Sequence, residues 1–441
     1  MSSPTGEMNS PQAKLKRARD AEVKEATDLK AFKADLLSKV IVKTIVKEQT
    51  NTQSVTALRF NHLPFASVGV PGDAGDTNLG NLFATCGGDF ATVYDDEHFG
   101  DHVAVVAQFK NEKTNHSAGG ELTAVVWVDA RGFTRHEFGD ALLAVGGGDD
   151  NAVQIFSVAE ARVVRMLKGH VGAIVALAAG ARDGETKKKQ DGASRLAVLD
   201  SNGTVTVWNW RTAQVLCVFE TGDAVAVEMP AGGDVVFTGH ADGDVLAWPV
   251  NAAASDVPCR DGAVLGTAGN VKALARHEAA AVAVHLAGAH TGAAVDCVRC
   301  LPGDRLATKS VDGVVCVRAA RSSPASKSAA TTTWRVPGGR VKPKKHELRS
   351  VLSSFGCDPA GEFLAAGNSD GETFVYDVAT GDLIKAVKQD RDFKGLNAVR
   401  AAAVSRDCRR VHAAFGPGVV WRAEVVPGLD DEEGPGTPDE A

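Results

Sequence analysis

The sequence has no long apolar run. Nowhere in its 441 residues is there an uninterrupted apolar stretch of the roughly eighteen residues that a membrane-spanning helix needs. No apolar segment follows the first methionine, so we expect no secretory signal. Together these features predict a cytosolic or nuclear protein that makes no contact with a membrane.

The chain is also poor in aromatic residues. They make up 6% of the sequence, so the core must be built largely from alanine, valine and leucine. The formal net charge of −7 argues against a surface that binds nucleic acid as a whole. Basic clusters at 187–189 and 342–345 fall in predicted loops, and direct contact with nucleic acid is not expected.

Metal sites and catalytic centres have no clear signature in the sequence. A zinc site needs about four ligands, and no second C-x-x-C pair accompanies Cys297 and Cys300. Alternation along a strand would also point these two thiols to opposite faces. There is no P-loop and no H-E-x-x-H motif. We therefore predict a protein without catalytic residues, without a bound metal and without a cofactor.

The histidines are interpreted as structural or solvent-exposed. His170 follows Lys-Gly in a pattern typical of a structural histidine. His240 stands in the turn TGHADG, where we expect it to be exposed. His285 and His290 lie in an alanine-rich insertion with no partner carboxylate nearby in the sequence.

One pattern recurs seven times along the chain. An apolar strand ends in a turn rich in Gly, Asp or Asn, and a second apolar strand follows it. Short strands separated by such turns are typical of all-β proteins, and repeats of this kind are typical of propellers. The seven copies cover residues 81–95, 142–156, 195–208, 234–248, 305–318, 363–376 and 410–421.

The spacing inside the repeat follows the WD-repeat rule. In four copies an Asp or Asn stands six residues before a Trp, Tyr or Phe; in a fifth, Arg318 takes the place of the aromatic residue. Asn-Gly and Asp-Gly favour a two-residue hairpin whose central residues have positive φ. We predict structural roles in the repeat for His170, Asn202, Trp208, Asp242, Trp248, Asp312 and Asp370.

These patterns predict an all-β, seven-bladed WD-repeat β-propeller with disordered N- and C-terminal tails. Residues 1–40 are polar and charged and form a disordered or loosely helical tail in this prediction. The propeller spans 41–425, and an acidic disordered tail follows at 426–441. Because a propeller must close its ring, we expect the strand at 55–60 to complete the last blade.

Several segments resemble one known family. The most specific is VDCVRCLPGDRLATKSVDGVVCVR at 295–318; VKEQTNTQSVTALRFN at 46–61 and VSRDCRRVHAAFGPGVVWR at 404–422 add to it. The similarity runs in order over most of residues 46–422. On these segments the chain resembles the Polycomb WD-repeat subunit family, known as embryonic ectoderm development, extra sex combs, and FIE in plants.

The resemblance implies a function as well as a fold. Members of that family are nuclear, non-catalytic scaffold subunits of Polycomb repressive complex two, which carries out repressive histone methylation and gene silencing. They bind the catalytic histone methyltransferase subunit through a helix laid across one propeller face, and they contact other Polycomb subunits. We expect the same class of partners and a nuclear location for this chain.

The sequence departs from the family at its histone-tail pocket. The family's other face holds an aromatic cage for trimethyl-lysine, where cation–π attraction requires aromatic rings. Counting along the matching segments places the four cage positions at Thr56, Thr123, Val351 and Leu352, and none of them is aromatic. Either the count slips by a residue or two, or the protein keeps the scaffold role and reads the histone tail weakly or differently. We favour the second interpretation, since nearby Phe65 alone makes no cage.

Two other functions stay open. Trp208-Asn209-Trp210-Arg211 resembles the W-D-x-R element by which some propellers dock onto cullin-type ubiquitin ligases, although Asn replaces Asp. A substrate receptor of such a ligase is therefore the first alternative. An enzyme is the second, since some propellers are catalytic, but the sequence shows no convergent acid, base or metal ligands.

Overall fold

Fourteen stretches of the chain are described by the computed structural model of the protein. They are residues 11–47, 55–63, 82–96, 103–131, 133, 140–181, 194–250, 284–285, 290, 292–320, 332–338, 352–388, 398–416 and 418–425. Within the helix, side chains are described from residue 23 onwards.

Seven antiparallel sheets of four strands each make up the fold. From the innermost strand outwards, blade one contains β2 (Val55–Phe60), β3 (Leu82–Gly87), β4 (Phe90–Asp95) and β5 (Ala104–Lys110). Blade two contains β6 (Leu122–Val128), β7 (Leu142–Gly147), β8 (Ala152–Ser157) and β9 (Arg162–Leu167). Blade three contains β10 (Ile174–Ala179), β11 (Arg195–Asp200), β12 (Thr204–Asn209) and β13 (Gln214–Glu220).

The remaining four blades repeat this order. Blade four contains β14 (Ala224–Glu228), β15 (Val235–His240), β16 (Val245–Pro249) and β17 (Val284–His285). Blade five contains β18 (Val295–Leu301), β19 (Arg305–Ser310), β20 (Val314–Ala319) and β21 (Thr332–Arg335). Blade six contains β22 (Gly356–Cys357), β23 (Phe363–Gly367), β24 (Thr373–Asp377) and β25 (Leu383–Val387). Blade seven contains β26 (Val399–Val404), β27 (Arg410–Phe415), β28 (Val419–Val425) and β1 (Val40–Lys47).

The seven sheets form a ring, so the protein is a seven-bladed β-propeller, and the predicted fold is confirmed. The hydrophobic core lies between neighbouring blades. One cluster joins Leu142 and Ile155 of blade two to Leu177 and Trp208 of blade three, and all four are buried. Alanine, valine and leucine supply most of the packing, as expected from the shortage of aromatic residues.

Ring closure differs from the prediction. The strand that completes the last blade is β1, which pairs antiparallel with β28 from Val40↔Val425 to Lys47↔Val419. The strand at 55–60, expected in that role, is instead the innermost strand of blade one. The closing strand thus comes from before the first repeat, and the two ends of the propeller meet in one sheet.

The hairpin turns also differ from the prediction. In the turn after β11, Gly203 N donates to the carbonyl of Asp200 at 3.1 Å, which makes Ser201 and Asn202 the central residues. Positive φ falls on the glycine alone and not on Asn202, so the two-residue hairpin is wrong. A turn of this form followed by a left-handed glycine is a common three-residue hairpin loop. The same left-handed glycine follows in blades four, five and six, at Gly243, Gly313 and Gly371.

A helix precedes the propeller where a disordered or loosely helical tail was predicted. The helix α1 (Pro11–Ser38) ends against blades six and seven, where Leu37 is fully buried in their shared core. Lys30 Nζ pairs with an Asp377 carboxylate oxygen at 2.6 Å. No helix in the described ranges is long and apolar enough to span a membrane. The predicted acidic tail at 426–441 lies outside the described residues.

Candidate functional site

The innermost strands of the blades line a central channel with two different ends. At the turn end lie the hairpin turns between the second and third strands of each blade. At the cavity end lie the turns between the first and second strands. Near the turn end, six of the described innermost strands carry a β-bulge, which takes one residue out of the regular ladder. The bulge residues are Thr56, Thr123, Val175, Val225, Asp296 and Arg400.

Two of the predicted cage positions are bulge residues that join neighbouring blades. The Thr123 hydroxyl in blade two donates to the carbonyl of Ile174 in blade three at 2.7 Å. The Thr56 hydroxyl in blade one lies 3.4 Å from the carbonyl of Leu122 in blade two and 3.1 Å from that of Cys86. Both side chains are half-buried. These positions therefore hold hydrogen bonds between blades rather than aromatic rings.

The bulge residue of blade five makes a third link of this kind. Asp296 is fully buried, and its Oδ2 accepts a bond from Lys309 Nζ at 2.6 Å and one from the Ser353 amide of blade six at 3.1 Å. Its Oδ1 is buried with no hydrogen-bond partner among the described residues. Burial raises the pKa of Asp296, and the positive charge of Lys309 opposes that rise.

Of the other two cage positions, Val351 and Leu352, only Leu352 lies among the described residues. Leu352 is half-buried beside Ser353. Val351 and Phe65 lie outside the described residues. The structure therefore brings Thr56 and Thr123 to the turn end of the channel, whereas the residue after Leu352, Ser353, contacts Asp296 of blade five.

Blade four contains a continuous polar chain that ties its strands together. Trp248 Nε1 donates to the Thr238 hydroxyl at 2.8 Å, and that hydroxyl lies 2.7 Å from His240 Nε2. His240 Nδ1 lies 2.9 Å from a carboxylate oxygen of Asp223. The prediction that His240 is exposed is wrong, because the ring is 3% exposed. Trp248 acts as the structural residue that the repeat predicts.

Blade five has a similar chain built on a histidine from the loop before its first strand. His290 is buried, and its two ring nitrogens lie 2.7 Å from the Thr308 hydroxyl and 2.9 Å from the Ser310 hydroxyl. Ser310 in turn donates to Asp312 Oδ1 at 2.5 Å. Among the described residues the His290 ring bonds to two hydroxyls, and Asp312 is linked to it only through Ser310. Burial lowers the pKa of His290 to about 4, so the ring is neutral at pH 7.

Blade three has a contact between its histidine and tryptophan rings, but not the series of side-chain hydrogen bonds seen in blade four. His170 packs against Trp208 with ring centroids 5.7 Å apart, and both are buried. Burial lowers the pKa of His170 to about 4. Among the described residues, His170 Nε2 and Trp208 Nε1 have no hydrogen-bond partner. The pair contributes packing in this blade.

The predicted turn residues lie at the tips of their hairpins. Asn202, Asp242 and Asp370 are exposed, whereas Asp312 is half-buried. Asp242 Oδ1 accepts the amide of Asp244 at 3.0 Å. Side chains that accept backbone amides two residues onwards stabilise such turns.

One hairpin matches a catalytic pattern, so the expectation that the sequence has no G-x-S-x-G motif is wrong. Residues 367–371 read Gly-Asn-Ser-Asp-Gly, which matches the G-x-S-x-G pattern of serine hydrolases. That pattern is functional where a strand turns into a helix, but here it joins β23 to β24. The Ser369 hydroxyl donates to the carbonyl of Gly338 at 2.7 Å. The serine therefore belongs to a turn of the propeller.

The predicted ligase-docking element is largely internal. Trp208 and Trp210 are buried. Arg211 donates to the carbonyls of Asp129 at 2.9 Å and Arg131 at 2.7 Å, both in blade two. The arginine that would contact a ligase adaptor is thus held by a neighbouring blade.

The C-x-x-C pair does not gather metal ligands. Cys297 is buried and Cys300 is half-buried on the same strand. Burial raises the pKa of the Cys297 thiol to about 12, which keeps it protonated. Within the described ranges, no group of three or more His, Cys, Asp or Glu residues could hold a metal ion.

A charged ring at the cavity end has no counterpart in the sequence predictions. Three residues beyond the bulges of blades one, four and five stand Arg59, Glu228 and Arg299. All three line one cavity of about 1070 Å³. Arg299 is the arginine of the VDCVR segment. Its position along the channel depends on the β-bulge before it, and local sequence patterns do not predict that bulge.

Comparison with known proteins adds no family. No protein-family model and no curated protein matches the chain.

Proposed function

We propose that this protein is a non-catalytic WD-repeat scaffold, a nuclear subunit of a histone methyltransferase complex that resembles Polycomb repressive complex two. Its role would be binding, in support of repressive histone methylation and gene silencing. The proposal is supported by the seven-bladed propeller, together with sequence segments that resemble, in order, those of the Polycomb WD-repeat family. The most family-like segment, 295–318, forms the three inner strands of blade five.

The internal use of the repeat histidines supports a scaffold rather than an enzyme. His240 and His290 are buried in hydrogen-bond chains inside single blades. A general base must reach the proton that it abstracts from a substrate, and these rings face neighbouring side chains instead. A propeller built in this way offers its faces and its channel ends as binding surfaces.

The turn end supports the scaffold role without a strong reader role. Aromatic rings are needed for a methyl-lysine cage, and at two of the four counted positions the threonines bond to backbone carbonyls. Thr123 holds Ile174 and Thr56 reaches Leu122 of the next blade. We therefore propose that the partner of this protein is the catalytic methyltransferase subunit, bound through a helix on one propeller face, and that histone-tail binding is weak.

Co-purification tests the scaffold proposal directly. The full chain is co-expressed with a histone methyltransferase catalytic subunit from the same source, and separately with a cullin-ligase adaptor. We expect a stoichiometric complex with the methyltransferase that survives gel filtration. A stable complex with the adaptor alone would overturn the proposal in favour of a ligase substrate receptor.

Calorimetry with histone-tail peptides tests the reader function separately. The purified propeller is titrated with trimethylated and unmodified peptides of the same sequence. Equal and negligible heat for both is expected if Thr56 and Thr123 replace the cage. A clear preference for the trimethylated peptide would show that other residues rebuild the pocket, and the weak-reader proposal would then be wrong.

A further inference from the structure

The cavity end of the channel is large enough to hold a small molecule. Its volume of about 1070 Å³ slightly exceeds the roughly 300–1,000 Å³ typical of ligand pockets. Apolar surface comes from Val126 and Trp127, while Arg59, Glu228 and Arg299 bring charge. A mostly apolar wall with a few charged groups is the usual composition of a ligand site.

The two arginines of this cavity have donors to spare. Arg299 Nη1 donates to Glu228 Oε2 at 2.8 Å and to the carbonyl of Val298 at 2.6 Å. Its Nη2 is buried and has no hydrogen-bond partner among the described residues. The Arg59 side chain makes no hydrogen bond to any residue in the described ranges; its carbonyl accepts Trp127 Nε1 at 3.0 Å. Guanidinium groups in a cavity cost desolvation energy unless water or a ligand supplies the acceptors.

Two neighbouring titratable groups, Glu228 and His62, add little charge beside the arginines at pH 6. Burial raises the pKa of Glu228 to about 7, against the opposing charge of Arg59, so the carboxyl is largely neutral below that pH. Burial lowers the pKa of His62 to about 4, with the charge of Arg406 acting in the same direction. At pH 6 the two arginines therefore face a neutral histidine and a mostly neutral glutamic acid.

The other charged groups that line the cavity are engaged in its rim. Arg305 donates to the carbonyls of Pro302 at 3.0 Å and Gly361 at 3.2 Å. Asp358 accepts the amides of Glu362 and Phe363, both at 2.8 Å. Asp234 and Asp304 line the same rim and also have interactions of their own. Among the described residues, these groups therefore leave Arg59 and Arg299 with donors that a ligand could bind.

We propose that the cavity end binds a small organic anion carrying phosphate or carboxylate groups, held by Arg59 and Arg299. The planar guanidinium fork matches both groups with paired hydrogen bonds. The apolar wall at Val126 and Trp127 would contact the organic part of the ligand. This site is separate from the scaffold role and does not depend on it.

Calorimetric titration with two probes tests the proposal and separates the two anion chemistries. The full chain is titrated with pyrophosphate and with citrate at pH 6.0 and fixed ionic strength. We expect saturable binding of at least one probe; binding of pyrophosphate alone would assign phosphate, and binding of citrate alone would assign carboxylate. Absence of saturable binding of both probes would overturn the proposal.

Matched variants locate the binding. Arg59→Gln should weaken binding of the stronger probe about ten-fold or more, the scale seen when a charged hydrogen-bond partner is removed. Arg162→Gln, at an exposed arginine on the outer strand of blade two, should change the affinity less than about two-fold. Equal weakening in both variants would indicate general attraction of anions to the surface, and the site would be rejected. Unaltered far-ultraviolet circular dichroism shows that each variant is folded.

The anion affinity of a Glu228 variant is a second, independent test of the site. Glu228→Gln removes the carboxyl that competes with the anion for Arg299. We expect it to tighten binding several-fold at pH 8, where Glu228 is charged, and to change it little at pH 5.5. If the variant and the parent protein bound the anion with the same affinity at both pH values, a site built on Arg299 would be contradicted.

Discussion

The two ends of the central channel use polar residues in opposite ways. At the turn end, Thr123 and Asp296 each bond to the backbone of the next blade. At the cavity end, the Arg59 side chain of blade one makes no hydrogen bond within the described chain. Arg299, three residues beyond Asp296 on the same strand, keeps a buried nitrogen without a partner there. The first arrangement joins blades and the second leaves donors for a ligand. On the innermost strand of blade five, Asp296 thus links two blades, while Arg299, three residues later, has a donor available for a ligand.

The largest effect is expected from Asp296→Ala at the turn end. The change leaves Lys309 buried without its partner, and breaking a buried ion pair in this way costs about 3–5 kcal/mol. Urea unfolding followed by circular dichroism measures the loss in free energy of unfolding. Asp382→Ala, at an exposed aspartate of blade six, is the control and should change stability by less than about 0.5 kcal/mol. A loss below about 1 kcal/mol for Asp296→Ala would show that the turn end is less structural than its contacts indicate.

Glu228 should make the stability of the protein depend on pH through the cavity end. Because burial raises its pKa from 4.5 to about 7 in the folded chain, the folded state holds the proton more tightly than the unfolded state. This group therefore favours folding at low pH, and that contribution is lost as the pH rises from about 4.5 to about 7. Glu228→Gln should raise the free energy of unfolding by roughly 1–3 kcal/mol at pH 8 relative to the parent, and change it little at pH 4.5.

The measurement is urea unfolding of both proteins across that pH range. Buried His290 should affect stability in the opposite pH direction, because burial lowers its pKa to about 4. Its contribution is present above about pH 6.5 and is lost as the pH falls towards 4. This acid loss should persist in Glu228→Gln. A pH profile that does not differ between the parent and the variant would contradict a raised pKa at Glu228.

Local patterns were enough to predict the propeller but not its closure. Asn202 and Asp242, each followed by glycine, mark turns within a few residues of the strands that they join, so the blades could be read along the chain. The closing strand β1 lacks the repeat pattern and pairs with β28, which lies almost the whole chain away. A pairing of that kind depends on the ring as a whole. The prediction therefore assigned closure to 55–60, the next apolar segment along.

The histidines show a second limit of local reading. His240 seemed exposed because it stands in a polar turn, yet Thr238 on the same strand and Asp223 from before the first strand of the blade both contact the ring. His290 seemed isolated because its partners, Thr308 and Ser310, follow about twenty residues later. Asp223, Thr308 and Ser310 are about twenty residues from their histidines along the chain, and the sequence does not show that the fold brings them together. The charged ring at the cavity end was missed for the same reason.

A smaller loss is expected from Thr123→Val at the turn end. Valine keeps the size of the side chain and removes the hydroxyl that donates to Ile174 of the next blade at 2.7 Å. A hydrogen bond of this kind contributes about 0.5–1.5 kcal/mol, and the unfolding midpoint in urea should fall accordingly. Thr212→Val is the matched control, since that exposed threonine bonds within its own blade. An equal effect of the two changes would remove the distinction between links within a blade and links between blades.

The smallest effect on stability is expected from Arg59→Gln at the cavity end. Arg59 has no acceptor in the described chain, so its removal breaks no hydrogen bond. Its charge does ease ionisation of Glu228, which makes pH 5.5 the appropriate condition, because Glu228 is then mostly protonated. Under that condition the free energy of unfolding should change by less than about 0.5 kcal/mol, as measured by urea unfolding. A loss above about 2 kcal/mol would show that Arg59 supports the fold, and the two ends of the channel would then differ less than their hydrogen bonds indicate. A neutral result, combined with lost anion binding in the same variant, would assign Arg59 to the ligand rather than to the fold.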